Sequence, residues 1–176
     1  MNILGAHLDR TIINPKKPVF MQKWIMNLKR NIWLVILFIA VQPAVAGNIK
    51  SILEKVPGVE SVEKLSTKAH FEEKYELMFW QPVAHNVNTT DSFLQRIFVC
   101  HTGFDDAVSL VTEGYAASYA ESKYFSTEIS GYFEINEIVI EHRFFGKSIP
   151  DGFPWKELTV ENAAANHHRI ITAFKK

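Results

Sequence analysis

Over most of this chain the apolar positions come in short bursts of β-branched and aromatic residues rather than in long helical stripes. Residues 75–81, Tyr-Glu-Leu-Met-Phe-Trp-Gln, read as one strand closed by Pro82, and residues 93–101, Phe-Leu-Gln-Arg-Ile-Phe-Val-Cys-His, as a second, because such side chains favour a pleated, half-buried backbone. Asn86, Asn88, Thr89, Thr90 and Asp91 lie between them, a polar turn that predicts an antiparallel hairpin. Residues 107–112 and 137–141 give two more short strands, and helices are expected over 49–56, ended by Pro57-Gly58, and within 123–133. The clearest helical periodicity comes last. Val160, Ala163, Ala164, His167, Ile171 and Phe174 recur at helical spacing over 159–175, so they are expected to form the apolar face. Thr159 suits the N-cap, Glu161 the positive end of the dipole, and Lys175 and Lys176 the negative end. A hairpin followed by strand, helix, strand and helix implies an α/β fold with parallel strands and crossover helices.

The N-terminal quarter follows a different pattern. Lys29 and Arg30 precede ten apolar residues, 32–41, followed by Gln-Pro-Ala-Val-Ala-Gly at 42–47. A basic start, a short apolar run and small residues before a cleavage point make up a secretory signal. Ten apolar residues fall short of the roughly 20 that span a bilayer, although a short anchor or a buried helix would share the pattern. Starting from Met26 gives a compact signal over 26–46, while 1–25 shows no apolar periodicity and reads as an over-extended start. The mature domain is then 47–176, secreted or periplasmic, with no stable membrane anchor after cleavage.

Charge sharpens that division. The whole chain balances 19 Lys and Arg against 19 Asp and Glu, but residues 1–46 hold six basic residues and one acidic. The mature part is left with 13 basic and 18 acidic residues, a balance that does not suit a nucleic-acid partner. Cys100 is the only cysteine, which excludes an internal disulfide and any cysteine-based zinc cluster; inside an apolar strand it reads as a buried, inert thiol. There is no Gly-x-Ser-x-Gly, His-Glu-x-x-His or phosphate-binding glycine loop. His167 and His168 are adjacent, so they cannot share a helix face as a metal pair does. His85, His101 and His142 each sit at a strand end, and a metal-dependent hydrolase built on them is the weakest reading considered.

Two loops stand out. Glu113, Gly114 and Tyr115 follow one strand, and Glu141, His142 and Arg143 follow the next. Loops at the carboxyl ends of parallel strands are where such sheets bind ligands, and Gly114 would permit a backbone conformation that other residues avoid. A plain turn at the first loop and a structural ion-pair cluster at the second explain the same residues.

These residues also carry a resemblance. Tyr75, Phe79-Trp80-Gln81-Pro82-Val83 and His85, then the 93–98 run, then Val111-Thr112-Glu113-Gly114-Tyr115 resemble the secreted bacterial tripeptidyl aminopeptidases. So do Ile140-Glu141-His142-Arg143-Phe144-Phe145-Gly146 and Leu158-Thr159, Glu161-Asn162-Ala163-Ala164. The resemblance spans about 72–176. It implies an α/β-hydrolase fold and an exported serine peptidase that removes short peptides from free N-termini with a Ser-Asp-His triad, using no metal and no cofactor. Its partner would be a peptide substrate.

In that fold the serine follows the fifth strand, with the Asp and His later in the chain. Counted that way, the hairpin is strands one and two, 108–111 is strand three and 138–140 strand four. The chain then holds the N-terminal portion of the fold, a β-hairpin followed by βαβα and truncated before the nucleophile elbow, and it carries no catalytic triad residue. The loop after strand three supplies an oxyanion donor in this fold, which makes Gly114 and Tyr115 the candidates for retained function. Glu113, Glu141, His142 and Arg143 are the remaining candidates for the oxyanion site or substrate cleft. Two positions depart from the family: Ala84, where Asp is expected, and Phe144, where relatives carry Tyr. The alternative is a small exported binding module without catalysis, which would have to cover the sheet edge beside strand three.

Overall fold

The structure, a computed structural model, describes residues 48–85 and 90–175. The signal segment, the start 1–25 and part of the 86–91 turn lie outside the described residues. Five strands form one sheet: β1 (Val59–Leu65), β2 (Glu73–Pro82), β3 (Ser92–His101), β4 (Val108–Thr112) and β5 (Asn136–Ile140). Their spatial order is β1-β2-β3-β5-β4. β2 and β3 form the expected antiparallel ladder, from Glu73 opposite His101 to Pro82 opposite Ser92. β5 runs antiparallel to β3 and parallel to β4, so β4 and β5 end at one edge of the sheet. Around the sheet lie α1 (Ile49–Leu53), α2 (Glu128–Phe133) and α3 (Val160–Phe174), giving a mixed α/β architecture. No helix among the described residues is long and apolar enough to cross a membrane.

Strand alternation gives the two faces different chemistry. Tyr75, Leu77 and Phe79 of β2 pack with Ile97 and Val99 of β3, Ile140 of β5, and Ile49, Leu53 and Ile170 from α1 and α3. Phe98 and Val139 point the other way, against Ala117 and Ala120. That second face also buries Lys74, Glu76, Arg96 and Glu137. Cys100 is fully buried there, and burial pushes its thiol up to about 12. Since only the thiolate reacts, the folded protein should be inert to a thiol reagent at pH 8. One equivalent should react after denaturation; rapid labelling of folded protein would contradict this burial.

Three expectations change. β1 (Val59–Leu65) answers to no expectation from the sequence, and the helix expected over 49–56 occupies only Ile49–Leu53. The helix expected within 123–133 occupies only Glu128–Phe133, where the Thr127 side chain accepts from the Ser130 N–H as an N-cap. On α3 the cap is as expected, with Thr159 accepting from the Asn162 N–H, and Ala163 and Phe174 of the expected face pack inward. Val160 and Ala164, however, point to solvent, and Asn162, Asn166 and Ile170 are buried instead. The helix is rotated so that two asparagines meet polar groups on the sheet.

Candidate functional site

Parallel pairing of β4 and β5 brings the two candidate loops side by side. The Glu113 N–H donates to the Ile140 carbonyl at 3.0 Å, and the His142 N–H to the Tyr115 carbonyl at 3.2 Å. The rings of Tyr115 and His142 both meet Phe145 edge-on, with centroids 5.2 and 5.6 Å away. All six residues singled out by sequence therefore occupy one sheet edge, but they do different things there.

Glu141 is fully buried and organises the edge. One carboxylate oxygen, Oε2, accepts from Arg96 Nη2, from Arg96 Nε at 3.1 Å and from the Ala117 N–H at 2.8 Å. The other, Oε1, accepts from the Lys147 N–H at 2.8 Å and the Ser148 hydroxyl at 2.9 Å. Burial pushes this carboxyl up, but Arg96, the Ala117 N–H and Ser148 together outweigh it, so it titrates below the ordinary value. Arg96 is itself buried and also pairs with Glu121, while Lys147 Nζ reaches Glu76 at 2.7 Å. Glu141 is thus the hub of an ion-pair network that pins the loop after β4 to the loop after β5.

Arg143 is buried as well, its guanidinium set over the rings of Phe93 and Phe144 at 5.5 and 4.9 Å. It donates to the Val83 carbonyl, and at 3.4 Å to Asn166 Oδ1, while its Nε has no partner among the described residues. No carboxylate among the described residues lies within ion-pair distance of it. Burial lowers it to about 10, with Glu157 opposing. Arg143 therefore ties the end of β2 to α3.

The remaining candidates face outward. Tyr115 is 72% exposed, and Gly114 has open space where a side chain would stand. Neither Gly114 nor Tyr115 donates its N–H to a partner among the described residues. Glu113 accepts from the Tyr119 hydroxyl. His142 is half-buried, and its Nδ1 lies 2.8 Å from the Arg143 carbonyl. Gly114 does not adopt a positive φ, so its expected conformational role fails; that role falls to Gly146, at φ +57 beside Glu141.

The supporting shell was not foreseen. Gln81 Nε2 donates to Gln95 Oε1 at 3.0 Å and to the Asn166 carbonyl at 3.1 Å. Gln95 Nε2 donates to the Glu141 carbonyl at 2.7 Å, and Asn166 Nδ2 to Gln95 Oε1 at 3.2 Å. His85 binds both asparagines, its N–H donating to Asn162 Oδ1 at 3.0 Å and its Nε2 lying beside Asn166 Oδ1. Burial lowers the His85 pKa, Asn166 partly opposing, so this ring favours its neutral form. The available signal was the Gln95-Arg96 pair inside an apolar strand, together with two asparagines four apart on a helix. His101 lies at the far end of the hairpin from His85, so the three strand-end histidines cannot share an ion.

The family described as PS-10 peptidase S37 matches residues 42–176. Prolyl tri/tetrapeptidyl aminopeptidase of Streptomyces mobaraensis is 32% identical over 129 residues, which cover 73% of this chain. The match covers 26% of that relative, so this chain spans about a quarter of its length. No solved structure gives a significant match.

Proposed function

The chain belongs to the PS-10 peptidase S37 family, and from that premise we propose that it is the N-terminal portion of an exported serine aminopeptidase. The complete enzyme would release short peptides, tripeptides first among them, from free N-termini. Its sheet would be the opening part of an α/β-hydrolase fold. The observation that supports the reading is the pair of N–H groups on Gly114 and Tyr115 that have no partner among the described residues. They sit in the loop after the third strand of the hydrolase count, the loop that contributes an oxyanion donor in that fold. The relative, a prolyl tri/tetrapeptidyl aminopeptidase, supports a peptide substrate.

Glu141 and Arg96 hold the donor loop without touching substrate. Tyr115 and His142 line the open side, where a peptide would lie. The serine, Asp and His would come from the remaining polypeptide, so the 176-residue chain should not hydrolyse tripeptidyl chromogenic substrates. A chimera that joins it to the unmatched part of the relative should turn them over and be stopped by a serine-directed inhibitor. Chimera recovered from outside the cytoplasm should begin near Gly47. Inhibitor-sensitive turnover by the 176-residue chain alone would overturn the proposal, and so would an inactive but folded chimera.

A further inference from the structure

The loop after β5 builds strain into its aromatic residues. Three non-glycine residues have a positive φ among the described residues, and two of them lie here: Phe144 at +71 and Phe153 at +47. Such backbone is costly for any residue with a β-carbon, and it persists only where the surroundings offset the cost. For Phe144 the offset is visible. Its ring is buried, stands edge-on to Phe93 and carries the Arg143 guanidinium, and its N–H donates to the Ser148 carbonyl at 2.7 Å. Phe153 has no such burial, because half of it stays exposed. Its ring stacks on Trp155 instead, with centroids 5.7 Å apart and planes 25° from parallel. Trp155 is 58% exposed as well, its indole N–H has no partner among the described residues, and its ring meets Phe144 edge-on at 6.1 Å.

We propose that Phe153 and Trp155 form a preset stacking platform for an aromatic side chain of a bound peptide. The inference rests on the peptidase reading, which lays a peptide along this edge. Ring contacts connect the two places. Phe144 meets Trp155, and the next residue, Phe145, meets Tyr115 of the donor loop edge-on at 5.2 Å. An aromatic wall therefore runs from the Gly114–Tyr115 loop to the platform. The stacked pair keeps ring surface open to solvent, and an aromatic side chain laid on it gains more than its buried area alone would give. The free indole N–H adds a donor for a peptide carbonyl. Phe144 holds Trp155 from one side and the left-handed backbone aims Phe153, so little side-chain freedom is lost when the peptide binds. The platform acts on which peptide is held.

The test follows the indole N–H resonances of the isotope-labelled full chain during titration with the tripeptide amides Ala-Ala-Phe, Ala-Ala-Leu and Ala-Ala-Ala. Trp155→Phe identifies the Trp155 resonance. Trp80, whose N–H is held by Glu60 at 2.7 Å, serves as the internal reference and should not move. The phenylalanine peptide should shift the Trp155 resonance saturably and bind about fivefold tighter than the leucine peptide, the factor that a ring pair of about 1 kcal/mol supplies. The alanine peptide should bind more weakly than either. Phe153→Gly keeps the left-handed backbone without the ring, and it should bring the phenylalanine and leucine peptides to equal affinity. Equal affinity in the wild-type chain overturns the inference, and so does a preference that survives Phe153→Gly. A Trp155 resonance that no peptide moves overturns it too. These outcomes separate from those of the peptidase proposal: a selective shift at Trp155 with an inactive chimera defeats the activity alone, whereas an active chimera with an unmoved Trp155 resonance defeats the platform alone.

Discussion

Glu141→Ala should destabilise the folded chain by about 3–5 kcal/mol, the cost of removing one partner of a buried ion pair. The side chain is fully buried, and truncation leaves the Arg96 guanidinium, also buried, short of its main counter-charge. It also strands the Ala117 and Lys147 N–H groups and the Ser148 hydroxyl, each a donor whose loss of partner costs on the order of 1 kcal/mol or more. An exposed pair provides the scale: Lys64 and Glu73 also meet, but the Lys64 side chain is 56% exposed, so Lys64→Ala should cost less than about 1 kcal/mol. Urea denaturation of the three proteins measures the difference. The pH dependence follows from the sign of the shift. The folded Glu141 carboxyl titrates below its ordinary value of 4.5, so folding favours the ionised form. Its contribution is whole above the unfolded pKa and is lost as pH falls through the folded one. Wild type should therefore lose stability more steeply than Glu141→Ala below about pH 4.5. Equal slopes, or a cost under about 1 kcal/mol, would show that Glu141 is not the hub described.

How much of this was legible in the sequence depends on how far each interaction reaches along the chain. β2, β3, β4 and β5 could be read because their bursts of β-branched and aromatic residues fit only a pleated surface. Their order was enough to predict that the Glu113–Tyr115 and Glu141–Arg143 loops would share an edge. β1 was not legible. Its half-buried residues Val59, Val62 and Leu65 stand three apart, a spacing that resembles neither strand alternation nor a full helix face, and the register shift between Val59 and Ser61 breaks the period. The face of α3 was misread for a related reason. Asn162 and Asn166 count as surface residues by pattern, yet their partners are His85, Gln81, Gln95 and Arg143. A polar residue becomes core only when another element supplies its hydrogen bonds. Arg96 was concealed in the same way, because its partners Glu121 and Glu141 lie 25 and 45 residues further on. The glycines were reversed: Gly114, singled out by position, has open space around it, while Gly146 closes on a buried carboxylate.

That closing contact gives the second large effect. Gly146 sits at φ +57, and a β-carbon there would stand 2.6 Å from Glu141 Cδ and 2.7 Å from Oε1. Both distances are too short, and the carboxylate is held by its five donors, so it cannot swing aside. Gly146→Ala therefore carries two costs: about 1–2 kcal/mol for a non-glycine residue in the left-handed region, and the displacement of Glu141 from Arg96, which brings the total to roughly 3 kcal/mol or more. Gly152 isolates the first cost, since it sits at φ +71 with nothing within 4 Å of its would-be β-carbon. Gly152→Ala should cost only about 1–2 kcal/mol. A double-mutant cycle isolates the second. With the carboxylate already removed by Glu141→Ala, the three atoms nearest the new methyl are gone, and Gly146→Ala should cost about as much as Gly152→Ala does. The coupling between positions 141 and 146 should then be about 1–2 kcal/mol, with the double variant more stable than the sum of the two single effects predicts. Strictly additive costs would mean that Glu141 relaxes freely around the new methyl, and the rigid network that holds the Gly114–Tyr115 loop would not exist.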